Sequence, residues 1–266
     1  MRDPATASSQ ATIKAPMKAN SVRWSTFAAP SRFYALAGKL VPWFWAVTAI
    51  FAAAGLFIGF AIAPADFQQG NSYRIIFIHV PAAWMSMLVY LVMAFWAVWG
   101  WAFNTRLASM YARALAPTGA LFTFTALWTG ALWGKPTWGT WWVWDARLTS
   151  EFILLLLYLG YIALTEAIDD ARRAANAGAL LALVGVVNVP IIYFSVRWWN
   201  TLHQGATISA TSAPKMASIM LTALLLMTVA FWAYSFAMAL TRARAIVLEQ
   251  EADTEWVRRL ATTNKG

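Results

Sequence analysis

The chain has 266 residues with a mean hydropathy of +0.56, and 61% of them are hydrophobic while only 12% are charged. Soluble domains carry about 25% charged residues, so this composition excludes an ordinary soluble protein and indicates an integral membrane protein. There are no cysteines and only two histidines, which excludes disulfides, thiolate metal sites and a closed four-ligand zinc site of Cys and His.

Six apolar stretches are long enough to cross a bilayer, which takes about 20 helical residues. The predicted spans are residues 41–63, 82–103, 114–133, 151–167, 174–196 and 216–240. The fourth is the weakest, because Glu151 and Glu166 flank its uncharged centre. We retain it because both glutamates would fall at the membrane interfaces, and because the later loops would otherwise change sides. The sequence therefore predicts an all-α integral membrane protein, a bundle of six transmembrane helices.

The two ends of the chain differ in composition from the spans. Residues 1–40 form a predicted N-terminal tail, whose first part is rich in Ala, Ser, Thr and Lys and is expected to be disordered. The sequence "AIA" at 61–63 resembles a signal-peptide cleavage site, but the apolar run before it is too long for a signal peptide. We therefore expect an uncleaved first span. Residues 241–266 form a predicted C-terminal tail.

The net charge of +9 raises the possibility of nucleic-acid binding, but the distribution of the charges favours a membrane protein. If the N-terminus is cytoplasmic, fifteen of the twenty Lys and Arg residues lie on the cytoplasmic side. Because inner loops of membrane proteins are enriched in these residues, we predict that both termini are cytoplasmic and that nucleic acid is not a partner. The outer loops are then about 64–81, 134–150 and 197–215.

The second outer loop, within "WGKPTWGTWWVWDARLTS" at 133–150, concentrates aromatic side chains next to two charges. The residues of interest are Trp138, Trp141, Trp142, Trp144, Asp145 and Arg147. Gly134, Pro136 and Gly139 are expected to interrupt regular structure here. Tryptophan is common at membrane interfaces, so one interpretation is anchoring. The other is an aromatic platform for a large flat ligand, with few polar groups to orient it.

Both histidines, His79 and His203, fall in predicted outer loops beside membrane spans and near tryptophans. Pro81 suits the first turn of a helix, which would place His79 at or near the N-cap. Neutral imidazole is a good ligand for haem iron, so the pair is a candidate for shared metal ligation. If the ligand is haem, its propionates have four candidate partners on the outer side: Arg74, Lys135, Arg147 and Arg197.

The segment "WGTWWVWDARLTS" resembles the tryptophan-rich WWD signature of the haem-handling proteins of cytochrome c maturation. The length, the six spans, "HVPAAW" and "WWNTLHQG" are similar to those of CcmC, the haem exporter protein C family, within that superfamily. The resemblance covers about residues 41–240, nearly the whole membrane region. The N-terminal tail lies outside it.

The resemblance implies a haem-binding protein of the cytoplasmic (inner) membrane, with its functional loops on the periplasmic side. The segment from Trp138 to Asp145 would hold a b-type, non-covalently bound haem, and His79 and His203 would be its axial ligands. Haem would pass to the haem chaperone CcmE, in a complex with CcmD, and the ABC-type subunits CcmA and CcmB would act in releasing the loaded chaperone. This is haem transfer rather than conventional enzyme activity.

Three alternatives remain open from the sequence. The chain could itself carry haem across the bilayer, although no polar path crosses the predicted spans. A proton-coupled transporter usually needs ionisable groups inside the bundle, whereas the cores of these spans are nearly free of charge. A purely structural subunit would use its tryptophans only as anchors, and its purified form would show no haem absorbance.

The charge asymmetry generates a prediction about membrane topology. Reporters fused near residues 70 and 140 should report the outer side, and those near 108 and 171 the cytoplasmic side. Paired alkaline phosphatase and green fluorescent protein fusions distinguish the two sides. A cytoplasmic signal at 140 would contradict the functional interpretation, because it would separate the tryptophan-rich loop from an acceptor outside the cell membrane.

Overall fold

The computed structural model describes residues 29–203 and 216–263, which fold into α-helices joined by short connections. The helices are α1 (Pro30–Phe57), α2 (Ile76–Phe103), α3 (Arg106–Trp138), α4 (Ala146–Glu166), α5 (Ala171–Gly185), α6 (Asn188–Trp198), α7 (Ser218–Gln250) and α8 (Glu255–Thr263). A π-helical turn at Ile58–Ile62 extends α1, and a 3-10 turn at Ser72–Ile75 precedes α2. The predicted all-α class is confirmed.

Within residues 29–203 and 216–263, six helical segments are long and apolar enough to cross a membrane, as the sequence predicts. They are Pro30–Ile62, Ser72–Phe103, Arg106–Trp138, Ala146–Glu166, Ala171–Trp198 and Ser218–Gln250. The fifth is interrupted between α5 and α6, where Asn188 and Pro190 indicate a kink. The Asn188 side chain donates a hydrogen bond to the Ser150 carbonyl oxygen at 2.9 Å, which ties this break to α4.

The first span begins earlier than its apolar run suggests. Helix α1 starts at Pro30, a residue suited to a first helical turn, so it includes the last part of the segment 1–40. The predicted disordered first part of that tail, residues 1–28, lies outside the described residues. After the π-helical turn, the Arg74 guanidinium donates to the carbonyl oxygens of Gly59 and Ala63. These bonds hold the first connection against the start of α2.

Helix α2 also begins earlier than predicted, and this changes the setting of His79. The 3-10 turn Ser72–Ile75 supplies the first turn, so His79 and Pro81 both lie inside α2. The prediction that His79 lies at or near an N-cap is therefore wrong. Pro81 lacks the backbone N–H group that would donate a helical hydrogen bond. It lies in the second turn of α2, after a first turn that the preceding residues form.

Helix α3 runs into the tryptophan-rich segment. It continues through Gly134 and Pro136 and ends at Trp138, so these two residues do not interrupt it, contrary to the prediction. Gly139 terminates the helix in the left-handed conformation, with φ of 77°, which a residue without a Cβ atom adopts at no steric cost. The first tryptophan of the signature is thus helical, and the others follow the turn.

The core lies between α2, α3, α4 and α5 and is packed with aromatic and apolar side chains. Tyr90, Met93, Leu154 and Tyr158 are completely buried there. A Cβ atom at Gly119 would lie 2.0 Å from the Tyr158 ring, so the absence of a side chain on α3 lets α4 approach. Large apolar side chains cover the outside of the helices, as expected for a surface that faces lipid.

Helices α1 and α7 pack against each other beside this core. Gly55 of α1 permits the close approach, since a Cβ atom there would lie 2.8 Å from the Met227 side chain. Helix α7 extends past its apolar part to Gln250, and Glu251 just beyond its end pairs with Arg106 at 3.4 Å. This contact joins the end of α7 to the start of α3.

Candidate functional site

A cleft opens at the end of the bundle where the first and second predicted outer loops meet the start of α4. It contains about 710 Å³ of empty space, counting the open solvent at its mouth. Helices α2, α3 and α4 and two connections line it. The lining residues are Gln69, His79, Ala83, Ala126, Leu127, Gly130, Trp133, Thr137, Trp138, Arg147, Leu148, Glu151 and His203.

His79 lies on the α2 wall of the cleft and is only 9% exposed. Its Nδ1 atom lies 3.0 Å from the Thr129 hydroxyl oxygen on α3. The Trp133 ring meets the imidazole edge-on, with ring centroids 5.7 Å apart and planes at 79°. A Cβ atom at Gly130 would lie 3.0 Å from His79 Cε1, so this glycine makes room for the ring. Two adjacent residues of α3 and a third one turn further along therefore fix the orientation of the imidazole.

His203 follows α6 and faces His79 across the cleft. The two ring centroids are 6.3 Å apart, and the ring planes differ by 33°. The Trp138 ring lies 6.1 Å from the His203 ring. The two histidines of the chain, 124 positions apart in sequence, are thus brought to the opposite walls of one cleft.

Asp145 connects the tryptophan-rich loop to the segment that carries His203. One carboxylate oxygen caps α4 by accepting the Leu148 N–H at 2.8 Å. The other accepts the Thr201 hydroxyl, and the Thr201 oxygen accepts the His203 backbone N–H at 3.0 Å. The position of His203 therefore depends on a carboxylate fixed at the first turn of α4.

Two further ionisable groups of α4 line the cleft, one turn apart. Arg147 donates to the Ile192 carbonyl oxygen at 2.8 Å. Glu151 is 6% exposed, and one of its oxygens accepts the Ser86 hydroxyl at 2.8 Å. Its other oxygen has no hydrogen-bond partner among the described residues. An arginine and a buried carboxyl group together make this wall polar within an otherwise apolar cleft.

The predicted site tryptophans occupy two different environments. Trp138, at the end of α3, lines the cleft. Trp141 and Trp144 are 54% and 75% exposed, and Trp142 packs edge-on against Trp144 and against Phe152 of α4. None of these three is among the residues that line the cleft. They lie outside the cleft lining, and Trp142 and Trp144 contact each other there.

The other candidate partners for propionates are held away from the cleft lining. Arg74 donates to two backbone carbonyls and to the Asn71 side chain. Lys135 donates to the Gly139 carbonyl oxygen at 3.1 Å, and Arg197 lies over the Phe194 ring. Arg147 is the one of the four that lines the cleft.

Several residues of the cleft were not predicted from the sequence. Trp133 donates its indole N–H to the Gln69 side-chain oxygen at 2.7 Å, which joins α3 to the first connection. Ala126, Gly130, Trp133 and Thr137 follow a helical spacing, so one face of α3 could have been recognised. Their relation to His79, by contrast, depends on how α2 packs against α3.

Comparison with known proteins decides the family. The family model for CcmC, heme exporter protein C, matches residues 23–258. The chain belongs to the heme exporter protein C family. The heme exporter protein C of Escherichia coli strain K12 is 48% identical over 241 residues, which cover 89% of this chain and 97% of that protein. This confirms the resemblance drawn from "WGTWWVWDARLTS", "HVPAAW" and "WWNTLHQG".

Two further relatives carry the same name. The heme exporter protein C of Haemophilus influenzae is 48% identical over 239 residues, covering 90% of this chain and 97% of that protein. That of Paracoccus denitrificans is 41% identical over 219 residues, covering 82% and 90%. The similarity to heme exporter protein C therefore extends over nearly the full length of these relatives, including the segments that form the cleft.

The role of Asp145 generates a prediction about the cleft. Asp145→Asn keeps an oxygen that caps α4, but the new NH₂ group cannot accept the Thr201 hydroxyl. We expect unchanged helix content and roughly a tenfold or greater loss of affinity for added haem, since a hydrogen bond to a charged group is lost. Asp170→Asn is the matched control, because the Asp170 carboxylate caps α5 by accepting the Arg173 N–H at 2.7 Å and lies away from the cleft lining. Equal affinities in the two variants would contradict this role.

Gly130 generates a second prediction. In Gly130→Ala the added methyl group would crowd the His79 ring, whereas in Gly160→Ala the nearest atom would be a Leu181 methyl at 3.7 Å. Both changes gain about 1 kcal/mol of helix propensity, so neither should lower the thermal stability much. Titration with haem should show weaker binding only in the first variant. Identical titration curves would show that the His79 ring tolerates displacement.

Proposed function

We propose that this protein binds haem non-covalently in the cleft and presents it to the haem chaperone CcmE, with His79 and His203 as the axial ligands of the iron. The observation that supports this most strongly is that the chain's two histidines face each other with ring centroids 6.3 Å apart. Haem is the cargo of this function rather than a resident cofactor. The family name, heme exporter protein C, agrees with this chemistry.

The separation of the two rings suits an iron atom between them. Two metal–imidazole bonds of about 2 Å place the ligating nitrogens roughly 4 Å apart. Each ring centre lies roughly 1 Å behind its nitrogen, which gives a centroid separation of roughly 6 Å. The observed separation of 6.3 Å matches this spacing for an iron atom toward which one nitrogen of each ring points.

Two imidazoles alone suit a porphyrin iron better than a bare metal ion. Haem supplies four nitrogen ligands of its own and takes only axial ligands from the protein. Among residues 29–203 and 216–263, no group of three or more His, Cys, Asp or Glu side chains is arranged to hold a metal ion. The donor set of the cleft is thus one that completes the coordination of a metal already held in a plane.

The remaining walls of the cleft match the other parts of the ligand. Trp133 and Trp138 provide apolar surface for a porphyrin, and Arg147 provides a guanidinium for a propionate. Arg147 is favoured over Arg74, Lys135 and Arg197 because it alone among these four lines the cleft. Its bond to the Ile192 carbonyl uses one N–H and leaves the fork of the guanidinium with further donors.

The exposed tryptophans suit a role in presentation. Trp141 and Trp144 lie at the surface outside the cleft lining, where they would contact either an exposed edge of the ligand or the acceptor protein. On the proposed topology this surface is periplasmic and the protein lies in the cytoplasmic membrane. CcmD and the ABC-type subunits CcmA and CcmB complete the proposed complex, in which the ABC-type subunits act in releasing the loaded chaperone.

Presentation at one face is favoured over transport through the chain by the packing below the cleft. Tyr90, Met93 and Tyr158 fill the bundle beneath it and are completely buried. Passage of a molecule as large as haem along this axis would require displacing them. We therefore propose that haem reaches the cleft from the outer side of the membrane or from a partner.

The histidine clamp generates a prediction about absorption spectra. Purified protein loaded with haem should show a low-spin, six-coordinate spectrum. His79→Ala or His203→Ala should leave a five-coordinate or water-ligated haem, and the double variant should retain almost none. Added imidazole should partly restore the low-spin spectrum of each single variant, because it can occupy the vacated position.

Leu127→Ala is a useful control for this experiment, because it enlarges the cleft without removing a ligand. It should keep the low-spin spectrum even if its affinity falls. An unaltered spectrum in His203→Ala would show that another group supplies the second ligand. A parent protein that takes up no haem would support a structural role instead.

A further inference from the structure

The Thr129 hydroxyl occupies a position in which the direction of its hydrogen bonds is determined. Thr129 lies on α3 and is 7% exposed. Its oxygen lies 2.6 Å from the Thr125 carbonyl oxygen and 3.0 Å from His79 Nδ1. A carbonyl oxygen can only accept, so the hydroxyl donates its single hydrogen to the backbone of α3. The hydroxyl oxygen therefore acts as an acceptor toward the imidazole.

The protonation of His79 follows from this. If the Thr129 oxygen accepts, then Nδ1 of His79 carries the hydrogen that it donates. In a neutral imidazole with Nδ1–H, the other nitrogen, Nε2, holds a lone pair. We propose that Thr129 is a positioning residue that holds His79 in the tautomer whose Nε2 atom binds haem iron. This inference rests on the proposed function.

Such a partner matters because a metal ligand must present the correct nitrogen. Without a fixed acceptor at Nδ1, the proton can occupy either nitrogen, and only one tautomer leaves Nε2 available. Metal-bound histidines generally donate their second N–H to an acceptor, which orients the ring and increases its basicity. Here the acceptor is a hydroxyl whose own hydrogen is held by the helix backbone, so it cannot reverse its role without losing that bond.

The chain offers a matched control on the same helix. Thr125 also donates its hydroxyl to a backbone carbonyl, that of Leu121 at 2.8 Å, but the residue is only partly buried. Thr125→Val removes that hydroxyl and retains the carbonyl oxygen on which Thr129 depends. Thr129→Val removes the acceptor of His79 with little change in volume, and Thr129→Ser retains it. Thr129→Ala removes the hydroxyl without adding a branched side chain.

The first arm of the experiment measures the tautomer in haem-free protein. The full chain is labelled with ¹⁵N-histidine, carries no histidine tag and has the His203→Ala change, which leaves one imidazole to observe. With Thr129, Thr129→Ser or Thr125→Val, the nitrogen chemical shifts should report only the Nδ1–H form. With Thr129→Val or Thr129→Ala the share of the Nδ1–H form should fall, although the Ala126 carbonyl remains as a hydrogen-bond partner of the His79 ring. A single, unchanged Nδ1–H form in these two variants would overturn the proposal.

The second arm measures haem affinity and reduction potential in protein that has both histidines. Thr129→Val should lower the affinity by roughly 10- to 100-fold, the usual effect of removing a partner of a metal ligand, and raise the potential. Thr129→Ser should restore both values. Affinity and potential equal to those of Thr125→Val would overturn the role in iron binding. Failure of the parent protein to take up haem would overturn the proposed function itself. The first arm uses haem-free protein, so it tests the role of Thr129 in fixing the tautomer independently of that result.

Discussion

The hydrogen bond between Asp145 and Thr201 is the contact on which the geometry of the cleft depends. A single carboxylate caps α4 with one oxygen and holds Thr201 with the other, and Thr201 in turn receives the backbone N–H of His203. The tryptophan-rich loop and the connection after α6 are therefore one unit. Because the carboxylate is fixed by the helix it caps, the position of His203 is transmitted from α4 rather than set by its own loop.

The opposite wall is fixed by a different means. His79 lies within α2, and its ring is held by two adjacent residues of α3, Thr129 and Gly130, and by Trp133 one turn further along. Close packing of two long helices thus defines one imidazole, while a capped helix start and a loop define the other. This division would suit the proposed haem site, with one ligand held rigidly between helices and the other on a connection.

The six spans were predictable because a run of about 20 apolar residues indicates a membrane-spanning helix. His79, His203 and the tryptophan-rich loop were identified because histidine is rare in this chain and tryptophan is concentrated in that loop. The sequence did not predict that Trp138 lines the cleft while Trp141 and Trp144 are exposed, since that depends on where Gly139 ends α3. The partnership of Thr129 with His79 was also not predictable. Spacing shows which residues share a face of a helix, but not which helix packs against that face.

A structure of the haem-loaded protein, determined by electron cryomicroscopy in a lipid nanodisc, tests the two-histidine clamp most directly. We expect the iron between the two rings at about 2 Å from a nitrogen of each, the Nε2 atom in the case of His79, with a propionate against Arg147. Haem bound on the exposed surface of Trp141 and Trp144, or ligated by only one of the two histidines, would contradict the clamp.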